Sequence, residues 1–192
     1  MAYFPMMVNL EDKPVLVIGG GEEGRKKEEV LLQFGAVITL VSPEAEPEAV
    51  RMADRYLGRE FRDEDIREAD YAMVVAATDD RELNRRISIL AGEKKIPVNV
   101  VDDAELCSFI FPCVIKDRDV VCSVSSGGKS PYVAQYLKKK ILEVLPGKIG
   151  EVNDRMGVFR EKVKAEIADT TERRRALRAR LDELLEQMDI DG

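Results

Sequence analysis

The 192-residue chain has no histidine and no tryptophan, and only 6% of it is aromatic. Without histidine, Ser-His-Asp and Cys-His catalysis, His-ligated zinc or haem, and imidazole acid–base chemistry are excluded within this chain. Any proton it moves must pass through Asp, Glu, Lys, Tyr, Cys or water. Cysteine is scarce too. Cys107, Cys113 and Cys122 form no CxxC pair, and read as reduced thiols rather than a disulfide framework or a metal-ligand set. The longest apolar run, residues 71–77, is far short of the roughly 20 residues that cross a bilayer. The opening MAYFPMMVNLEDK has neither the basic n-region nor the apolar h-region of a secretory leader. A cytoplasmic protein without membrane association is therefore expected. Acidic side chains outnumber basic ones, 37 to 30, for a formal net charge of −7, which is the wrong sign for coating nucleic acid.

What is present is a chain with 45% hydrophobic residues, enough to build a core without staples. Its first hundred residues alternate apolar β-branched runs with helical periodicity. The patterns predict strands at 14–18, 37–41, 71–77 and 98–101 and a short one near 59–61, with helices over 22–34, 47–57 and 79–93. The β-α alternation predicts an α/β fold with a Rossmann-type, doubly wound parallel sheet. After residue 105 the pattern changes. Runs 108–115 and 120–125, split by Lys116-Asp117-Arg118-Asp119, predict a hairpin. Ser130-Pro131 is a cap and first-turn proline for a helix ending at Pro146-Gly147. From Lys148 the spacing of Val152, Met156, Phe159 and Val163, then of Leu177, Leu181, Leu184 and Met188, predicts two helices with a break near 169–171.

Gly19-Gly20-Gly21-Glu22-Glu23-Gly24 satisfies G-x-G-x-x-G at a strand-to-helix junction. Such a junction makes a tight turn, lets backbone approach a pyrophosphate, and turns helix N–H groups toward the anion. Glu44 follows Gly24 beyond the end of the second strand, where a carboxylate accepts from a ribose 2′-hydroxyl. The segment 41–44 holds no Arg or Lys for a 2′-phosphate, so the cofactor expected is NAD. Ala76-Ala77-Thr78-Asp79-Asp80 leaves room for a ligand at a strand's carboxyl end, while Thr78 or Asp79 caps the next helix.

Val98-Asn99-Val100-Val101-Asp102-Asp103 ends the last parallel strand with an amide and two carboxylates. With no histidine in the chain, a carboxylate at this rim is the leading general acid or base. Adjacent Asp residues point apart, so one faces the pocket while the other caps or meets solvent. Ser125-Ser126-Gly127-Gly128-Lys129, just before a helix, offers N–H groups and a cation as an anion site. It lacks P-loop spacing.

Taken together, Tyr3-Phe4-Pro5, the glycine loop, Ala76-Ala77-Thr78-Asp79, Val98 to Asp102, Cys107-Ser108-Phe109-Ile110-Phe111-Pro112 and Ser125 to Pro131 resemble one family in unbroken order. That family is the precorrin-2 dehydrogenase / sirohydrochlorin ferrochelatase family of siroheme biosynthesis, including the N-terminal module of siroheme synthases. The resemblance implies an NAD-binding Rossmann domain over 1–112, a dimerisation region over 113–146, a helical C-terminal region over 147–192, and a homodimer. It implies an enzyme that oxidises precorrin-2 to sirohydrochlorin with hydride transfer to NAD⁺, some members also inserting Fe²⁺. It assigns the acid–base role to Asp102 and maps cofactor contacts onto Glu22, Glu23, Pro43 and Glu44, with Thr78 and Val101 nearby. Asn99, Ser125, Ser126 and Lys129 are then the candidate substrate contacts, and Ser126 matches a serine phosphorylated in some relatives. Many relatives carry Val-Ala at Glu23-Gly24, so an inward Glu23 would oppose a pyrophosphate. The rival from another class is a non-catalytic NAD-sensing Rossmann module, which accounts for the glycine loop and Glu44 but not for the Ser-Gly-Gly-Lys-Ser-Pro string or Asp102.

Overall fold

The structure, a computed structural model, describes residues 3–190. The chain divides into two compact units, Met1–Phe111 and Pro112–Gly192. The first runs β1 (Pro14–Gly20), α1 (Glu22–Leu32), β2 (Val37–Ala45), α2 (Pro47–Met52), β3 (Arg55–Leu57), α3 (Glu64–Arg67), β4 (Met73–Ala76), α4 (Arg81–Glu93) and β5 (Val98–Val100). The strands are parallel, in the order β3-β2-β1-β4-β5, as the β-α alternation predicts. Chain direction across the sheet reverses between β1 and β4, and the glycine loop leaves β1 there. Side chains of β1 alternate between two cores. Leu16 and Ile18 pack with Val74, Ile87 and Val98 on one face, and Val15 and Val17 with Leu31, Ile38 and Val75 on the other. Each such buried side chain contributes about 1.5–3 kcal/mol, which explains why this strand reads as unbroken apolar sequence.

Four expectations need correction. The helix expected over 47–57 stops at Met52, because Asp54 turns its carboxylate to accept from the Ile38 N–H at 2.7 Å. The chain then pairs with β2 at Arg55–Leu57, so the short strand lies there and not at 59–61. The Arg59 guanidinium instead grips the Asp65 carboxylate at 2.6 and 2.8 Å and closes the turn into α3. The helix α4 is capped by Asp80, not by Thr78 or Asp79: its Oδ1 accepts from the N–H groups of Glu82 and Leu83. Fourth, strand character begins at Cys113 rather than 108. Ser108 is held beside β5 instead, donating its N–H to the Val98 carbonyl (2.9 Å) and accepting from the Val98 N–H through Oγ (2.8 Å).

The second unit comprises β6 (Cys113–Asp117), β7 (Val120–Val124), α5 (Pro131–Val144), α6 (Ile149–Glu166) and α7 (Thr170–Ile190). The two strands form the expected antiparallel hairpin, and Ser130 caps α5. The Asp117 carboxylate accepts the Gly150 N–H at 2.7 Å and Arg118 pairs with Asp154, which ties the hairpin to the start of α6. Ile115, Val124, Ala134, Val152, Val163 and Leu184 are its buried apolar side chains. No helix among the described residues is long and apolar enough to cross a membrane.

Candidate functional site

The glycine loop is shaped by contacts that no side chain could share. Gly19 has φ +102°, and a Cβ there would lie 2.2 Å from the Ala77 carbonyl oxygen. A Cβ on Gly24 would lie 2.0 Å from the Gly19 carbonyl oxygen, so the first turn of α1 sits directly on the strand exit. Gly21 faces open space, with nothing within 4 Å of its Cβ position. It occupies the N-cap of α1 without a side-chain cap, which leaves first-turn N–H groups without intrahelical partners and available to an anion.

This loop forms one wall of a cavity of about 1310 Å³. Of the residues expected at a cofactor, Gly19, Gly21, Glu22, Glu23, Pro43, Glu44 and Thr78 line it. Gly24 lies behind the loop and Val101 outside the lining. Glu23 does not oppose the loop. Glu22 and Glu23 both turn to the Lys26 ammonium, each at 2.8 Å, whose hydrogen bond holds the Glu22 carboxyl below its ordinary range. Thr78 donates its hydroxyl to Oδ1 of buried Asn84 at 2.7 Å, and the Asn84 amide donates back to the Thr78 carbonyl at 2.8 Å. Asn84 thus fixes the β4–α4 turn. Sequence reasoning passed over it, although Asn84, Ile87 and Ala91 share the inward face of α4. The lining also includes Glu46, Phe61, Leu83 and Arg86, which come from segments whose approach only the fold reveals.

One carboxyl is buried without any partner. Glu28, on the inner face of α1 between Gly24 and Leu31, is fully buried, and neither of its oxygens has a hydrogen-bond partner. Burial pushes it up to about 7.

At the end of the neighbouring strand, the Val101 N–H donates to the Ala76 carbonyl at 2.9 Å, extending the β4–β5 pairing by one residue. Asp102 follows in the left-handed region (φ 59°). It is exposed and makes no hydrogen bond or ion pair among the described residues. Asp103 takes the capping role instead: its Oδ1 accepts the Glu105 N–H at 3.2 Å at the head of a single 3₁₀ turn, Ala104–Leu106. Asn99, expected at a substrate, is buried, and its amide donates to the Phe109 carbonyl (3.1 Å) and to Cys107 Sγ (3.5 Å), so both donors serve the fold. Cys107 Sγ accepts from the Val100 N–H at 3.1 Å, and burial raises its thiol above the ordinary value. In the second unit, Ser126 Oγ accepts the Ser130 N–H (3.1 Å) and donates to the Ser130 carbonyl (2.7 Å). Gly127 and Gly128 have positive φ, and Ser125 Oγ accepts the Gly127 N–H. The loop is thereby closed on itself, with Lys129 exposed at its tip.

A Rossmann sheet with a glycine loop at its point of strand reversal, a helix N-terminus facing open space and a carboxylate-rimmed crevice defines a dinucleotide-binding protein. The chain belongs to the family described as putative NAD(P)-binding, which matches residues 6–113. Its curated relatives include a siroheme synthase of Neisseria meningitidis serogroup C, 40% identical over 179 residues, covering 91% of this chain and 37% of that protein. Siroheme synthase 3 of Aeromonas hydrophila subsp. hydrophila is likewise 40% identical over 179 residues, covering 91% and 38%. The resemblance drawn from the sequence motifs is thus borne out as kinship, and the chain spans a little over a third of the length of these relatives. Among solved structures, SirC, precorrin-2 dehydrogenase, shares the fold with TM-score 0.73 at 19% identity, covering 97% of this chain and 99% of that one.

Proposed function

We propose that this chain is a precorrin-2 dehydrogenase of siroheme biosynthesis, oxidising precorrin-2 to sirohydrochlorin with NAD⁺ as acceptor. The observation that carries the reading is the kinship with siroheme synthases over nine-tenths of the chain, joined to a crevice built on the glycine loop. When bound, the nicotinamide supplies the hydride acceptor. The residues of the chain do the rest. Backbone N–H groups after Gly21 hold the pyrophosphate, the space left by Gly19 and Gly24 lets them approach it, and Glu44 beside Pro43 accepts from the adenosine ribose. Thr78, which lines the crevice, would stand at the nicotinamide end, and Val101 lies outside the lining. The substrate loses one hydride and one proton, and Asp102 is the base that takes the proton. Its carboxylate is exposed and unpaired among the described residues, free of the capping work done by Asp103. By itself, the loop of the second unit offers the Ser125 hydroxyl and the Lys129 ammonium to carboxylates such as those that rim a tetrapyrrole, while the Ser126 proton is held by the Ser130 carbonyl.

Pairing of two copies through α5 belongs to the same reading. Tyr132, Tyr136 and Val144 are 80%, 60% and 80% exposed on that helix, an apolar face that a second copy would cover; light scattering reads the mass directly.

The test is anaerobic incubation of the full chain with precorrin-2 and NAD⁺, following sirohydrochlorin absorption. Product formation coupled to NADH is expected. Asp102→Asn is expected to lower turnover roughly 100-fold or more with dinucleotide affinity retained. Full activity in that variant would remove the acid–base assignment, and no product with the parent chain would favour the sensor reading. Adding Fe²⁺ as substrate with sirohydrochlorin, against the uncatalysed rate, tests metal insertion.

A further inference from the structure

The segment at the end of β2 carries no cation of its own, but the fold brings one to it. Arg25, on the first turn of α1, directs Nε to Oε2 of Glu46 at 2.9 Å, and its Nη1 pairs with Glu29. The guanidinium is largely buried, with its side chain 19% exposed. Glu46 lines the crevice and is fixed to the glycine loop, since its N–H donates to the Gly20 carbonyl at 2.8 Å. Loop and rim are pressed together here: a Cβ on Gly20 would lie 2.3 Å from the Ala45 Cβ. In this fold the rim after the second strand faces the 2′ position of the adenosine ribose, where a carboxylate suits a hydroxyl and an arginine accommodates a phosphate. Both groups are present, and they neutralise each other.

We propose that Glu46 is a specificity-determining residue: by holding Arg25 in an ion pair, it withholds a guanidinium that would otherwise receive a 2′-phosphate. A dinucleotide carrying that phosphate must break a charge-assisted hydrogen bond and meet the carboxylates of Glu44 and Glu46, whereas one with a 2′-hydroxyl meets acceptors only. Arg25 is then a latent phosphate-binding group, and Glu46 the residue that keeps it latent. The inference rests on reading the crevice as a dinucleotide site.

The chain has no tryptophan, so emission of the reduced nicotinamide reports binding of NADH and NADPH to the 192-residue chain without indole background. The parent chain is expected to prefer NADH. Glu46→Gln keeps shape and removes the charge, and should shift the ratio of dissociation constants toward NADPH by roughly tenfold or more, the worth of one hydrogen bond to a charged group. In the double variant with Arg25→Gln the shift should vanish. Arg25→Gln alone should leave NADPH no tighter than in the parent. An unchanged ratio in Glu46→Gln, a shift that survives loss of Arg25, or a gain in NADPH affinity from Arg25→Gln alone each overturns the inference while leaving the dinucleotide site standing. Failure of the parent chain to bind either reduced dinucleotide overturns the site and the inference together.

Discussion

Replacing Glu28 by leucine should stabilise the protein, and by an amount that depends on pH in a defined way. The carboxyl has no exposed surface and no hydrogen-bond partner, and burial alone lifts it from 4.5 to about 7. Between those values the folded chain keeps a proton that the unfolded chain has released. Folding therefore binds a proton in this window, and stability falls as pH rises, by about 1.4 kcal/mol per pH unit. Across the window the loss is on the order of 3 kcal/mol. Below pH 4.5 both states are protonated and above 7 both are ionised, so the contribution is flat outside it. Leucine fits the apolar surroundings and cannot ionise. Thermal melts followed by circular dichroism from pH 4.5 to 8 should give a gap between Glu28→Leu and the parent that widens through the window. At a few degrees per kcal/mol the gap reaches on the order of 10 °C at pH 8. Glu28→Gln, which keeps the polar burial cost but not the charge, should lose the pH dependence without the full gain. A gap constant from pH 4.5 to 8 would refute the reasoning, because contributions from all other titrating groups cancel in the difference.

Two further outcomes test the loop and the turn beyond it. Gly24→Ala places a methyl against the Gly19 carbonyl oxygen, where only backbone could yield; a loss of about 1–3 kcal/mol and weakened dinucleotide binding by calorimetry are expected, and unchanged affinity would mean the loop tolerates displacement of α1. Asp80→Ala removes the acceptor for two helix N–H groups and should cost about 1 kcal/mol in urea unfolding, most of it restored by Asp80→Ser. Equal stability of Asp80→Ala and the parent would show that water replaces this cap.

Where reading along the chain erred, a contact distant in sequence outweighed a local signal. The helical spacing over 47–57 is real, but Asp54 bonding to Ile38 and the pairing of Arg55–Leu57 with β2 end that helix early. Glu28 reads as part of the charged face of α1, since three of the four residues preceding it are also charged; its burial follows from how closely Gly24 lets the helix approach the sheet. A cation for the β2 rim was sought within 41–44, whereas Arg25 reaches Glu46 from the preceding helix.

Periodicity and glycine spacing by themselves determined the order of elements, the parallel sheet, the hairpin and the position of the glycine loop, because those features depend on local backbone freedom and on which residues avoid water. The family resemblance, rather than periodicity, named Glu22, Glu23, Pro43, Glu44 and Thr78 as neighbours of one ligand, and all five line one cavity. Only the tertiary structure decided how the charges are spent: Lys26 takes both first-turn glutamates, Glu46 takes Arg25, Asp103 caps a turn, and Asp102 is left unpaired. Ion pairs act over a few ångströms between residues up to dozens of positions apart, and no one-dimensional pattern carries that distance.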